Sequence, residues 1–257
     1  MCGIAALFLT PQERPTAVWQ SLRENVTANL LFNEDRGRSA TGLIVLDVDG
    51  EARLFKQPLP AREFTETAVY RRLLQTIGPR TTLVLGHTRL PTKGDPARSG
   101  NNHPIQVGTV YGVHNGRIQN DDHLFAQGPR PRLAEVDSEI IFRLIAEGQG
   151  QPQKIKAALE ELQGEFTFIA GDGRAPAQLL VVKHRNPLAV HYQADWQALI
   201  FTSRYTFLRK SFGPTVAKET IPADYLLLYD AFHLQTNQYQ PALALALHLN
   251  QAPADTH

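Results

Sequence analysis

The only cysteine of the chain stands at position 2, directly after the initiator methionine. An initiator methionine is normally removed when the next residue is small, as cysteine is. The working chain is therefore expected to begin at Cys2, with a thiol and a free α-amine on one residue. An α-amine titrates at about 7.7–8.0, so a useful fraction is neutral at neutral pH and can take the thiol proton, directly or through a water. The thiolate is the nucleophile, and an unperturbed cysteine holds only a small fraction of it at that pH. By position alone, Cys2 is more simply an incidental small residue after the initiator, and the rest of the sequence has to decide. His87, His103 and His114 are the other conspicuous candidates. Their spacing is not that of a zinc site and no second cysteine exists to complete one, so no metal and no cofactor are expected.

The elements that must position these residues can be read from period and turn chemistry. Gly3–Phe8 reads as a buried strand. Val18, Leu22, Val26 and Leu30 recur every four residues, which predicts an amphipathic helix over Thr16–Leu31. Asn33–Arg38 reads as a polar turn. Thr41–Asp47 and Glu51–Lys56 flank Asp49-Gly50 and predict a hairpin. Residues 61–77 read as helical and Thr82–Thr88 as a strand. A polar stretch over 89–108, rich in Pro and Gly, reads as a loop long enough to be functional. Thr109–His114 predicts a strand that ends at Asn115-Gly116, and a second loop over 126–137 precedes helix Ser138–Glu147. A further helix covers about 153–162. Strands follow at 165–171, 178–183, 188–193, 198–202, 224–229 and 231–236, with a short helix at 204–210. Residues 242–247 alternate Ala and Leu, which fits a strand by period and a helix by propensity. Many strands with a few amphipathic helices in blocks predict an α+β fold with helices outside stacked sheets.

Taken in order, the motifs carry a resemblance. Cys2-Gly3-Ile4 is followed by Arg36-Gly37-Arg38-Ser39-Ala40-Thr41-Gly42, and then by Gly86-His87-Thr88-Arg89-Leu90-Pro91-Thr92-Lys93-Gly94. Asn102-His103-Pro104, Val113-His114-Asn115-Gly116 and Val136-Asp137-Ser138-Glu139 come next. This series resembles the class II glutamine amidotransferases, in particular the glutaminase domain of glucosamine-6-phosphate synthase and its relatives, from Cys2 to about Asp230. The resemblance implies a single four-layer αββα sandwich of the N-terminal-nucleophile hydrolase type. It also implies hydrolysis of L-glutamine to L-glutamate and ammonia through a γ-glutamyl thioester on Cys2.

Roles follow from the resemblance residue by residue. The Asn115 side-chain amide and the Gly116 backbone N–H match the oxyanion donors; a tight turn is the plainer use of Asn-Gly. Arg89 matches the arginine that holds the glutamine α-carboxylate, and Asp137 the carboxylate that receives the α-ammonium; a surface arginine and a helix cap are the plainer uses. Arg36 matches an arginine that orders the N-terminus, and Thr92 and His103 match substrate-loop contacts. One position departs from the pattern: close relatives carry a tryptophan after the arginine, and here Leu90-Pro91 stands there.

Composition limits the remaining classes. The 257 residues are 42% apolar and 20% charged with a formal net charge of +1, so no global field directs the chain to nucleic acid or a membrane surface. No apolar run approaches the roughly 20 residues of a membrane span. One cysteine excludes an internal disulfide and favours a cytoplasmic setting. One domain over 1–257 is expected, its motifs within about 2–230 and 231–257 as a C-terminal extension. No P-loop or Ser-Gly-Gly-x-Asp-Ser loop occurs, and the residues after 230 are too few for an acceptor domain. The expectation is a stand-alone glutaminase whose ammonia passes to a separate synthase. An amidohydrolase for another γ-glutamyl or amide substrate, or an idle regulatory binding module, are the alternatives. Arg89 with Asp137 argue against the first, and retention of Cys2, Asn115 and Gly116 against the second.

Overall fold

The computed structural model describes residues 2–218 and 221–249. In chain order the elements are β1 (Gly3–Leu9), α1 (Thr16–Asn33), β2 (Ala40–Asp47), β3 (Ala52–Gln57), α2 (Ala61–Glu66), α3 (Ala68–Gln75) and β4 (Thr81–Arg89). After the polar stretch come β5 (Ile105–Val107), β6 (Val110–Ile118), α4 (Asp121–Ala126), α5 (Glu139–Glu147) and α6 (Pro152–Leu159). The rest comprises β7 (Gly164–Asp172), β8 (Gln178–His184), β9 (Ala189–Gln193), β10 (Ala198–Thr202), α7 (Tyr205–Phe212), β11 (Tyr225–Asp230), α8 (Leu234–Asn237) and β12 (Leu243–Ala246). Two six-stranded antiparallel sheets result. The first runs β3-β2-β4-β1-β10-β9 and the second β12-β11-β8-β7-β6-β5. Among the described residues no helix is long and apolar enough to cross a membrane.

The side-chain period of two sorts each strand between three cores. On β1, Ala5, Leu7 and Leu9 pack with Trp19, Leu22, Val26 and Leu30 of α1 outside the first sheet. Ile4, Ala6 and Phe8 turn the other way and meet Leu83, Leu85, Val113, Ile169, Val181, Leu199 and Phe201 between the sheets. Outside the second sheet, Phe166, Phe168, Leu180 and Val182 pack with Ile141, Phe142 and Ile145 of α5 and Ile155 and Leu159 of α6. Helix, sheet, sheet, helix is the four-layer αββα arrangement, and burial on both faces explains why β1 reads as a continuous apolar run.

Several elements differ from the sequence reading. The helix over 61–77 is two helices, because Thr67 adopts an extended conformation and its side chain accepts from Tyr70 N, capping α3. Ile105–Val107 inside the long polar stretch is a strand, antiparallel to β6. Residues 231–236 are a 3-10 turn running into α8, not a strand: the Asp230 carboxylate accepts from Phe232 N and turns the chain there. Leu243–Ala246 resolves the Ala/Leu alternation as a strand, paired with β11.

Candidate active site

The inner face that buries Ile4, Leu85, Val113 and Phe201 continues, two residues at a time, to one open end of the sandwich. There it presents Cys2 before Ile4, His87 and Arg89 after Leu85, Asn115 after Val113, and Ser203 after Phe201. Alternation alone therefore converges four strands' polar residues on one place. A cleft of about 330 Å³ opens there, lined by Cys2, Leu90, Thr92, Asn115, Gly116, Arg117, Gln119, Glu165 and Asn186.

Cys2 is partly exposed and lines the cleft. Its Sγ lies 3.3 Å from Leu90 N and 3.3 Å from Leu90 O, so the backbone at the loop's start meets the thiol on both its donor and acceptor sides. Burial pushes the thiol pKa up; the Leu90 N–H and the nearby Arg89 oppose that rise. Arg36 Nε donates to Cys2 O at 2.6 Å and fixes the first peptide.

Asn115-Gly116 is not a turn. β6 runs through both, with Asn115 opposite Thr167 and Gly116 opposite Phe166 on β7. Gly116 takes φ +130°, and a Cβ there would lie 1.8 Å from Glu165 O. A glycine is what lets the strand stay paired in that conformation. The Asn115 carboxamide reaches Ser203 Oγ at 2.8 Å, and Ser203 Oγ also accepts from Ile4 N at 2.9 Å.

Arg89 ends β4 and is buried. Its guanidinium donates to Asn102 Oδ1 (2.7 Å), Lys93 O (2.6 Å) and Gly94 O (2.8 Å), so the long loop folds around it. The loop is tied down further out. Lys56 Nζ donates to Asn102 O (2.7 Å) and Pro104 O (3.0 Å), and Lys93 Nζ reaches Asp121 (2.6 Å) and Asp122 (3.0 Å) at the start of α4. Arg132 meets the same two carboxylates. Gly42 lets the 103–104 backbone lie close, since a Cβ there would sit 2.1 Å from His103 O.

Asp137 is buried and does not cap α5. The capping position is Ser138, which makes no side-chain cap bond, while Asp137 Oδ2 accepts from Ile118 N at 2.6 Å. Burial raises its carboxyl above the usual range, with the Ile118 N–H opposing. Asp137 and Arg89 form no ion pair, yet both act electrostatically on Cys2.

Thr92 stands exposed at the cleft. His103 is buried, its ring centroid 4.3 Å from that of His87 and 6.3 Å from that of His114. Burial depresses all three imidazoles, His87 and His114 to about 3. Among the described residues no group of three or more His, Cys, Asp or Glu is arranged to hold a metal ion. The structure thus brings Cys2, Arg36, Asn115, Gly116, Thr92, Arg89 and Asp137 to one end of the molecule and packs the buried His103 ring against His87 and His114. Sequence reasoning missed Ser203, Asn102, Lys93 and Asp121. Asn102 and Lys93 stood inside the motifs quoted above without an assigned role, and for Ser203 the signal was its parity with Phe201 on β10.

Comparison with known proteins bears on the same region. A family model described as a glutamine amidotransferase domain matches residues 87–210. The chain is 25% identical over 222 residues to 7-cyano-7-deazaguanine synthase 2 of Sulfurisphaera tokodaii, covering 85% of this chain and 46% of that one. It is 25% identical to glutamine–fructose-6-phosphate aminotransferase (isomerizing) of Yersinia pestis, covering 86% of this chain and 36% of the relative. The glutamine phosphoribosylpyrophosphate amidotransferase of B. subtilis, solved with ADP and GMP, superposes with a TM-score of 0.71 at 17% identity. That match covers 97% of this chain and 50% of the solved one. The chain thus spans less than half the length of these sequence relatives.

Proposed function

We propose that this chain is a class II glutamine amidotransferase of the N-terminal-nucleophile type that hydrolyses L-glutamine at Cys2 and passes the ammonia to a synthase partner, a reading supported by the family match over residues 87–210, the sequence relatives and the likeness of fold. The supporting observation is that Cys2, Asn115 and Gly116 line one cleft while Arg89 and Asp137 lie within electrostatic reach of the thiol.

After removal of Met1, the α-amine of Cys2 takes the thiol proton, and Sγ adds to the glutamine side-chain carbonyl. Asn115 and the Gly116 N–H meet the oxyanion, fixed in a paired strand before reaction. The carbon–nitrogen bond breaks, the amine returns the proton to the leaving nitrogen, and ammonia departs. Water then adds to the γ-glutamyl thioester, releasing glutamate and the thiol. Arg89 gives three N–H groups to the loop, and its positive charge is assigned to the glutamine α-carboxylate. Asp137 receives the α-ammonium. Arg36 orders the first peptide, and Thr92 and the 102–104 segment shape the loop side of the pocket.

The loop that folds on Arg89 also supplies the backbone of Leu90 against the thiol, so a partner that moves it changes recognition and nucleophile together. Glutamate release by the isolated protein is expected to be slow and to rise when a synthase partner binds with its acceptor substrate. The test is glutamate release with and without candidate synthases. Fast turnover in isolation that no partner changes would favour a free-standing hydrolase.

A further inference from the structure

Two lysines hold the loop that folds on Arg89, and they differ in what answers their charge. Lys93 Nζ meets the carboxylates of Asp121 and Asp122. Lys56 Nζ donates instead to two carbonyls, Asn102 O at 2.7 Å and Pro104 O at 3.0 Å. Among the described residues the one charge that acts on it is that of Arg89, which has the same sign. His103 lies within its field, but burial keeps that imidazole neutral. Burial first, and the Arg89 charge second, lower the Lys56 pKa to about 8.

The strands set where Lys56 stands. It is opposite Gly42 in the β2–β3 pair. A Cβ on Gly42 would lie 2.8 Å from Lys56 Cβ, 2.1 Å from His103 O and 2.9 Å from Pro104 Cδ. The loop backbone thus lies against β2, beside the stem of Lys56. Asn102 joins this tether to the site. Its carbonyl accepts from Lys56, its Oδ1 accepts from the Arg89 guanidinium at 2.7 Å, and its amide donates to Pro96 O at 2.7 Å. Asn102 and Arg89 are both buried, where a lost partner is not replaced by bulk water.

We infer that Lys56 is a positioning residue for glutamine recognition: it fixes Asn102 and, through Asn102, the guanidinium of Arg89. Its effect on affinity rests on the glutamine reading; its hold on Arg89 does not. Lys56 does not line the cleft. Its ammonium has no anion among the described residues, so the strength of the hold depends on the proton it carries. A charge-assisted hydrogen bond is roughly twice as strong as a neutral one. Above a pH of about 8 the amine keeps protons for both carbonyls but loses its charge, and the loop is held less firmly. A glutamine carboxylate brought to Arg89 favours the charged form of Lys56 as well. Affinity for glutamine is therefore expected to fall as Lys56 deprotonates.

Two measurements on the full chain test this. The first is calorimetric titration of glutamine into protein carrying Cys2→Ala, which does not consume it. Lys56→Met is expected to weaken binding about tenfold near neutral pH, and Lys56→Arg to restore it. In an Asn102→Ala background, where the link to Arg89 is already cut, Lys56→Met should add little. From about pH 7 to about pH 9.5 affinity should fall more steeply with lysine at position 56 than with arginine, which stays charged; the ammonium of glutamine titrates alike in both. Unchanged affinity in Lys56→Met, an equal loss with and without Asn102, or one pH profile for lysine and arginine would overturn the inference, because Lys56 would then serve stability alone. The second is nitrogen-15 NMR of the ligand-free protein, which reads the hold without glutamine. The Arg89 Nε–H resonance should follow the titration of Lys56 and lose that dependence in Lys56→Arg. A resonance indifferent to Lys56 contradicts the inference. A coupled resonance in a protein that binds no glutamine leaves the tether intact and rejects the glutamine reading.

Discussion

The Leu90 backbone N–H lies 3.3 Å from Cys2 Sγ, across 88 residues of sequence. It opposes the burial that raises the thiol pKa, but burial is the larger effect. In chain that retains Met1, alkylation of Cys2 by iodoacetamide is predicted to be slow at neutral pH and to rise only through the alkaline range. Chain that begins at Cys2 carries an α-amine of pKa about 7.7–8.0 on the same residue, and should react faster near neutrality. Identical pH profiles for the two forms would remove the amine from the mechanism.

Arg89 and Asn102 form one unit, because Asn102 Oδ1 accepts from the guanidinium at 2.7 Å while its amide donates to Pro96 O at 2.7 Å. Arg89→Ala is expected to raise KM for glutamine by about 10²-fold or more with a smaller effect on kcat, since it removes a charged bond to the non-reacting end of the substrate. Asn102→Ala should move KM in the same direction by less. Steady-state kinetics separate the cases; a fall in kcat alone would place Arg89 in the chemistry instead.

Lys93 lends a carbonyl to Arg89 and its ammonium to the acidic pair at α4. Asp121 is 5% exposed at its side chain and Asp122 73%. An exposed ion pair is worth about 0–1 kcal/mol, whereas breaking one whose carboxylate is buried, as that of Asp121 is, costs more. Asp121→Asn is therefore predicted to raise KM for glutamine clearly, and Asp122→Asn to do so little. Equal effects would mean that the anchor of the loop lies elsewhere.

Asp137 must be ionised to receive an ammonium, and burial raises its pKa in the free protein. Below a raised pKa the neutral form dominates, so activity should fail on acidification at a higher pH than an ordinary carboxylate would allow. The acid limb of kcat/KM reports the free enzyme. It is predicted to lie above the usual aspartate range near 4 and to be lost in Asp137→Asn, which retains only weak activity. A limb at the ordinary aspartate position would argue against this assignment.

Much of the architecture was legible because strands and helices write their period into the sequence. β1, α1, β4 and the hairpin at Asp49-Gly50 lie where alternation, four-residue spacing and turn chemistry put them. Asn115-Gly116 misled, because the same dipeptide serves a type I′ turn and a strand that needs a residue without Cβ; only the approach of Glu165 O at Gly116 decides between them. At Asp137 it is the plainer alternative that fails: an aspartate before a helix looks like a cap, but its carboxylate turns to Ile118 N on β6. Ser203, Asn102 and Asp121 act through partners 13 to 88 residues away in sequence, and no local pattern encodes such pairings.

The claim on which the rest depends is that Cys2 is the nucleophile toward glutamine. A diazoketone analogue of glutamine, incubated with the purified protein and followed by intact mass and peptide mapping, tests it directly. The account predicts one adduct per chain, on Cys2, with loss of glutamate release, and neither adduct nor turnover in a folded Cys2→Ala protein. Labelling at another residue, or glutamate release by Cys2→Ala at the wild-type rate, would contradict it.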